Sequence, residues 1–392
     1  MVFFVAMGLS IIVPALPTYA RDFGATNFMI GGLVAGFGVA RVIFDLPAGV
    51  ITQKINEKIL MQFGLVIIVI SSVAAAFAPS YVILLVARVF EGVGSAFYII
   101  ASSTILNAVV SERHRGKAFS YYTASLLLGP AIGPSLGGFV ISLYGNSAPF
   151  LFYALFVGIG LFAATFLLKS YSPGKKKEQG GKLRHLLKDR SILLVGFASL
   201  ALAFTWTGLR LTVIPIFAYD NLLLTPSGLG LALSLTAGGT LVTTIIVGQI
   251  TDKVGRRIPV MLGLLSAAGM AIIIFTSTSF FTFALFMLLS GLTTGIWGQT
   301  VAWIVDLAPK GRVGAAIGIN RTLGDSGFVL GPLLLGYMAT LGLAGSVGPL
   351  PFYTAAILLA IAGILLLFAR DPVRESRKTI YEGQPGQANL PT

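Results

Sequence analysis

The sequence predicts an all-α membrane protein of twelve transmembrane helices, arranged as two related six-helix halves. Three observations carry that prediction. Hydrophobic residues make up 56% of the 392-residue chain and charged residues only 10%, far below the roughly 25% charged of a soluble domain. Apolar stretches of about 20 residues, enough to cross about 30 Å of hydrocarbon at 1.5 Å per residue, recur along the whole chain. A polar, basic phrase also appears twice: Gly248-Gln249-Ile250-Thr251-Asp252-Lys253-Val254-Gly255-Arg256-Arg257 has a worn copy in Gly49-Val50-Ile51-Thr52-Gln53-Lys54-Ile55-Asn56-Glu57-Lys58, half a chain earlier.

The predicted spans, numbered 1 to 12, cover residues 1–20, 28–51, 58–78, 81–109, 117–143, 149–168, 191–218, 228–250, 258–278, 280–306, 313–341 and 350–369. Span 1 opens directly on Val2-Phe3-Phe4-Val5, without the basic flank and small-residue cleavage site of a signal peptide. It is therefore read as a membrane helix, with a short native flank expected before it. After span 6 the polar, flexible run Lys169-Ser170-Tyr171-Ser172-Pro173-Gly174-Lys175-Lys176-Lys177 reads as a linker. The expected domains are an amino-terminal bundle (1–168), a linker (169–190), a carboxy-terminal bundle (191–371) and a tail (372–392). Further echoes support a duplication: Gly8-Leu9 with Gly208-Leu209, Gly133-Pro134 with Gly331-Pro332, and loosely Arg115-Gly116-Lys117-Ala118 with Arg312-Val313-Gly314-Ala315.

The net charge of +13 is a topology signal. If both termini and the linker are cytoplasmic, 22 of the 27 lysines and arginines fall on that side, Arg21 alone lies in the opposite loops, and Arg41, Arg88, Arg210 and Arg321 fall within spans. That asymmetry obeys the positive-inside rule and argues against nucleic-acid binding. There is no cysteine, and His114 and His185 both lie in predicted loops, so neither a metal site, a cofactor nor thiol chemistry is expected. An ATP-driven pump would need a G-x-x-x-x-G-K-[ST] loop, which is missing. No enzymatic constellation is recognisable either.

The pattern G-x-x-x-D-K-x-G-R-R, formed by Gly248, Asp252, Gly255, Arg256 and Arg257 between two membrane-length helices, resembles the loop between helices 8 and 9 of the major facilitator superfamily, where it repeats the helix 2 to 3 loop. Gly8, Pro14 and Pro17 in span 1 resemble the helix-1 signature of its drug:proton antiporter branch. Arg88-Val89-Phe90-Glu91-Gly92-Val93-Gly94 is similar to an R-x-x-Q-G-x-G element associated with proton coupling, with Glu91 where glutamine is usual. Gly129, Gly133, Pro134, Gly137 and Gly138 in span 5 resemble the antiporter motif, with Ser120 in place of its first glycine. Independently of any family, glycines every four residues leave a smooth face for a close helix neighbour, and Pro134 permits a bend; ordinary helix packing is the plainer alternative. The resemblance implies alternating access, a small-molecule substrate, protons and the lipid bilayer as partners, and a monomer in the cell membrane.

Charges inside the bilayer cost a few kcal/mol or more unless paired or hydrated. Arg41 and Asp45 lie four apart on span 2, and Arg321 and Asp325 four apart on span 11, so each pair shares a helix face. At 1.5 Å per residue, Asp45 and Arg321 lie roughly 9 and 12 Å from the cytoplasmic ends of their spans, and Arg41 and Asp325 roughly 15 and 18 Å. The resemblance implies that spans 2 and 11 meet at the junction between the halves, and level matching then predicts two interhelical ion pairs, a latch that parts when the cavity opens inward. The alternative is two static pairs, each arginine with its own i+4 aspartate.

Burial favours the neutral carboxyl and a nearby guanidinium the charged one, so a carboxyl whose surroundings change with access suits a proton carrier. Glu91, with Arg88 as modulator, is the first candidate and Asp325 the second; a permanent Arg88–Glu91 salt bridge is the alternative. The cavity spans that the resemblance implies, 1, 4, 7 and 10, supply Tyr98, Asn107, Trp206, Arg210, Trp297, Gln299 and Trp303, a wall suited to bulky, lipophilic and cationic compounds. Arg210 either holds an anion or pairs with an acid brought close by folding. The function expected is proton-coupled export of drugs or other lipophilic compounds. The alternatives are a proton symporter of an organic anion, a lipid flippase, or a non-transporting sensor on the same bundle. Finally, the first loop copy has Gln53, Asn56 and Glu57 where the second has Asp252, Gly255 and Arg256. The missing acidic anchor predicts that the first half's latch lies within the membrane.

Overall fold

A computed structural model describes residues 1–51, 55–110, 115–168, 186, 188–309, 312–342 and 345–374. Of the predicted linker only 186 and 188–190 are among them, and of the tail only 372–374. Every regular element among the described residues is helical. Spans 2 to 6 are Asn27–Ile51, Glu57–Ala76, Tyr81–Val109, Arg115–Tyr144 and Ala148–Phe166; spans 8, 9 and 12 are Pro226–Val254, Arg257–Phe275 and Leu350–Leu365.

Three spans depart from a single regular α-helix. Span 1 divides into Val2–Ile11 and Ala15–Arg21, bent by 45° where Pro14 removes a helix donor. Span 10 divides at Gly295 into Phe280–Thr294 and Trp297–Leu307. Span 7 runs as Arg190–Phe204, a nine-residue π-helix Thr205–Val213, and Ile214–Asp220. Among the described residues, ten helices are long and apolar enough to cross a membrane, eleven with bent span 1 counted as one. The remaining predicted span, 11, is the 28-residue helix Val313–Thr340. It has ample length, but Arg321, Asp325 and its glycines lower its hydropathy.

Polar side chains at the interfaces start the helices. Asn56 accepts from the backbone of Lys58, Asp189 from Ser191 and Ile192, Thr225 from Gly228, and Ser279 forms a capping box with Thr282. Span 8 ends at Gly255, whose φ of +97° favours glycine.

Small residues set the packing, and they do so twice. In the first half, a Cβ on Gly133 would meet the Met7 carbonyl and Ser10, and one on Gly137 the Ile11 carbonyl, so span 5 lies directly on span 1. In the second half, Gly327 and Gly331 stand in the same relation to the Leu200 and Phe204 carbonyls, laying span 11 on span 7. Across the halves, the Pro134 carbonyl abuts Gly230 of span 8, and the Pro332 carbonyl abuts Gly31 of span 2. The Gly133-Pro134 and Gly331-Pro332 echoes thus occupy equivalent joints, as a duplicated six-helix unit requires.

Candidate functional site: a cavity between two sets of interhelical charges

Spans 1, 2, 4, 5, 6, 7, 8 and 11 line a central cavity of about 270 Å³. Its walls are mostly aliphatic, with Tyr98, Tyr153 and Trp206 among them, and its charged lining is Arg41, Arg88 and Arg210. A second cavity of about 170 Å³ lies toward the linker and is lined by Asn320, Arg321, Asp325 and Trp297 among others.

At the end away from the linker the halves are fastened together. Arg21, at the end of span 1, grips Asp220, at the end of span 7, through both terminal nitrogens at 2.6 and 2.7 Å. Arg21 also donates to Asn27, whose amide in turn donates to the Ala339 carbonyl. Tyr219 donates to the Pro14 carbonyl at the span 1 bend at 2.7 Å, and Ser142 bonds Ser227 at 3.0 Å. A bidentate guanidinium–carboxylate pair backed by further hydrogen bonds is a strong closure. Sequence reading missed it: Arg21 stood out as the one basic residue of the far loops, but nothing in the chain linked it to Asp220.

Toward the linker the halves meet through charges. Arg321 donates to Asp45 at 2.5 Å, the pairing that level matching predicts. Arg41 and Asp325 do not meet: among the described residues, Arg41 pairs with Asp45 at 3.9 Å and Arg321 with Asp325 at 3.7 Å. The four charges therefore form one chain, Arg41–Asp45–Arg321–Asp325, that contains an interhelical link and both intrahelical ones. It is incompletely satisfied, with Arg41 Nε and Asp45 Oδ1 buried without hydrogen-bond partners, while the Arg41 guanidinium lies 5.6 Å from the Phe328 ring centre.

Arg88 and Glu91 form a buried ion pair within span 4. Ser72 of span 3 donates to Glu91 at 2.9 Å, and Arg88 lies over Phe37 at 4.9 Å. Arg88 lines the central cavity, whereas Glu91 is 0% exposed and faces span 3. Of the two candidate proton carboxyls, Asp325 borders the second of these cavities and Glu91 lines neither.

The other predicted residues divide. Tyr98, Trp206 and Arg210 line the central cavity. Trp297 lies beside it, 5.8 Å from Trp206 between ring centres. Gln299 and Trp303 stand elsewhere, because the break at Gly295 re-aims the second half of span 10. Gln299 accepts from Thr251 and Arg256, each at 2.7 Å, and fully buried Trp303 donates to the Arg370 carbonyl at 2.9 Å. The Asn107 side chain lies outside the described residues, as does that of Asp252. Gly8 packs under Tyr153 of span 6, and Pro17 is buried in the second half of span 1.

In the loop phrase, Arg256 reaches Asp306 at 3.1 Å, and Asp371, beside Gly255, accepts from the Arg257 backbone at 3.0 Å. A Cβ on Gly248 would meet the Gln299 side chain at an ordinary van der Waals distance. Arg257 also donates to the Leu367 carbonyl at the end of span 12. Its counterpart Lys58 donates to the Thr165 and Leu168 carbonyls at the end of span 6, so the two copies tie down the same joint in each half. Thr52, Gln53 and Lys54 of the first copy lie outside the described residues.

Two pseudo-symmetric six-helix units around a central cavity, fastened by different contacts at its two ends, have the architecture of a membrane transporter. The chain belongs to the Major Facilitator Superfamily: that family's model matches residues 1–220 and again 195–388. Among relatives, an uncharacterised MFS-type transporter of Methanocaldococcus jannaschii is 25% identical, covering 92% of this chain and 93% of its own length. Multidrug resistance protein 2 of Bacillus subtilis is 24% identical over 87% of this chain and 88% of its own. Quinolone resistance protein NorA of Staphylococcus aureus is 24% identical over 96% of each. The crystal structure of a bacterial homologue of the human lysosomal transporter Spinster, inward-facing and occupied, shares the fold with a TM-score of 0.78 at 14% identity, covering 98% of this chain and 97% of that one.

Proposed function

We propose that this chain is a proton-coupled secondary transporter that exports lipophilic compounds across the cell membrane by alternating access, with the linker and both termini cytoplasmic. The observation that carries the reading is the four-charge chain. A buried charge that loses its only partner costs several kcal/mol, so a latch of isolated pairs would be hard to open. Here, when Asp45 and Arg321 separate, each keeps a partner four residues away on its own helix. The latch opens by exchanging an interhelical partner for an intrahelical one, and Arg21–Asp220 closes the far end while it does. The multidrug and quinolone resistance relatives support a lipophilic cargo, as do the largely apolar cavity walls.

Asp325 is the proton's port in this state, since it borders a cavity and shares Arg321 with Asp45. A proton on Asp325 withdraws one of the two carboxylates competing for Arg321 and so tightens the interhelical link. Glu91, sealed behind Arg88, positions that arginine at the cavity wall.

Purified protein in liposomes tests the reading. With an imposed pH gradient, the wild type is expected to move a lipophilic dye against its concentration gradient until a protonophore collapses the pH difference. Asp325→Asn is expected to lose the gradient-driven accumulation while retaining dye binding. Dye movement indifferent to the gradient would overturn the proposal of proton coupling, and full accumulation by Asp325→Asn would overturn the assignment of the port.

A further inference from the structure

The charges on the central cavity wall do not balance. Arg41 is countered by Asp45 and the Phe328 ring, and Arg88 by Glu91. Arg210 has no such partner: it makes no ion pair among the described residues, is 9% exposed, and its Nη1 is buried without a hydrogen-bond partner. Its guanidinium lies 4.2 Å from the centre of the Trp206 ring, a contact that steadies the cation but satisfies none of its N–H groups in plane. The carboxylates nearest along its own span and at the latch are engaged elsewhere, Asp220 by Arg21 and Asp325 by Arg321.

Local backbone geometry aims this pair. Trp206 and Arg210 both lie on the π-helical stretch Thr205–Val213, where the Thr212 hydroxyl donates to the Thr207 carbonyl five residues back. π-Helical turns are rare, usually short, and frequent at functional sites. This one is long, and Gly208 inside it packs directly on Gly331 of span 11, which fixes its position. A buried, uncompensated guanidinium held on a distorted helix is a standing cost to the fold, and a bound anion would offset it.

We propose that the central cavity is a site for a lipophilic anion: Arg210 takes a carboxylate, sulfonate or phosphonate head against Trp206, and the apolar walls of spans 1, 2 and 4 take the body. The assignment narrows the substrate class of the proposed exporter and rests on that reading for transport, though not for binding.

The probes are two pyrene derivatives of one skeleton, pyrenebutyrate and a pyrenebutyl trimethylammonium salt, bound to the full-length protein in non-ionic detergent. Energy transfer from tryptophan to pyrene reports occupancy. The wild type is expected to bind the anion about tenfold more tightly than the cation, a ratio within reach of one charge-assisted contact. Arg210→Gln should bring the ratio near one, and Arg210→Lys should keep most of the preference. Equal affinity for both probes in the wild type would overturn the site, as would an unchanged ratio in folded Arg210→Gln. If that variant does not purify folded, competition on the wild type by decanoate against decyltrimethylammonium decides instead: preferential displacement by decanoate upholds the site, and equal displacement refutes it. Transport is scored separately. Anion preference without gradient-driven movement of either probe sinks the exporter reading alone, and gradient-driven movement of the cation without anion preference sinks the site alone.

Discussion

Reversing one charge of the Asp45–Arg321 link is expected to lower substrate exchange by about two orders of magnitude, the scale set by leaving a buried charge unpaired. Asp45→Arg places a cation between Arg41 and Arg321, with Asp325 the one carboxylate left among the four. Arg321→Asp does the opposite, leaving Arg41 to face three carboxylates. The double variant Asp45→Arg with Arg321→Asp is the informative case. It rebuilds attraction across the helices, so the protein should regain stability, but like charges then lie four apart on both spans and no intrahelical partner remains. It should stay latched and still fail to exchange. The fourfold exchange of Arg41 with Asp45 and of Arg321 with Asp325 returns both kinds of pair at the original depths, and exchange should recover substantially. Gradient-free exchange of labelled substrate in liposomes keeps proton coupling out of the comparison. Recovery in the double variant would show that the interhelical attraction alone matters, and no recovery in the fourfold one would argue for static pairs.

Removing the carboxylate under Arg88 should be the largest single loss of stability. Glu91→Ala leaves an arginine that is 3% exposed without its counter-ion, with Arg88 Nε already unpartnered, and deprives Ser72 of its acceptor. About 3–5 kcal/mol is expected for breaking a buried pair in this way. Glu91→Gln keeps an acceptor for both neighbours and should lose less. Replacing both partners with well-packed apolar residues, as in Arg88→Met with Glu91→Leu, should recover most of the stability, because it removes the desolvated charges together. Thermal unfolding of the purified variants orders them, and a melting midpoint for Glu91→Ala equal to the wild type's would contradict a structural role for the pair.

Much of this molecule could be read from the chain because membrane folding leaves few choices. Apolar length sets the spans, and their ends fall where Asn56, Asp189, Thr225 and Ser279 can cap them. Depth along a helix is linear in sequence, so the meeting of Asp45 with Arg321 followed from counting residues once the family resemblance had set spans 2 and 11 side by side. Rotation about the helix axis is harder to read. Glu91 lies three residues from Arg88, close enough to pair with it, yet it turns to span 3 while Arg88 reaches the cavity. The Gly295 break, which turns Gln299 and Trp303 out of the cavity, has no period that betrays it, and neither has the π-helical run that aims Trp206 and Arg210. Contacts between chain-distant ends, such as Arg21 with Asp220, exist only once both halves are assembled.

The central claim is that the two ends of the cavity open in opposition. The chain contains no cysteine, so pairs of introduced cysteines can carry spin labels without competing sites. One pair at the exposed positions Tyr144 and Leu223 spans the halves at the far end, and another at Ile55 and Val254 spans them at the linker end. Distance distributions from pulsed electron resonance, recorded in lipid across a pH series with and without a lipophilic anion, should move in opposite senses, the far-end pair lengthening as the linker-end pair shortens. Distances that change together, or at one end alone, would contradict alternating access in this protein.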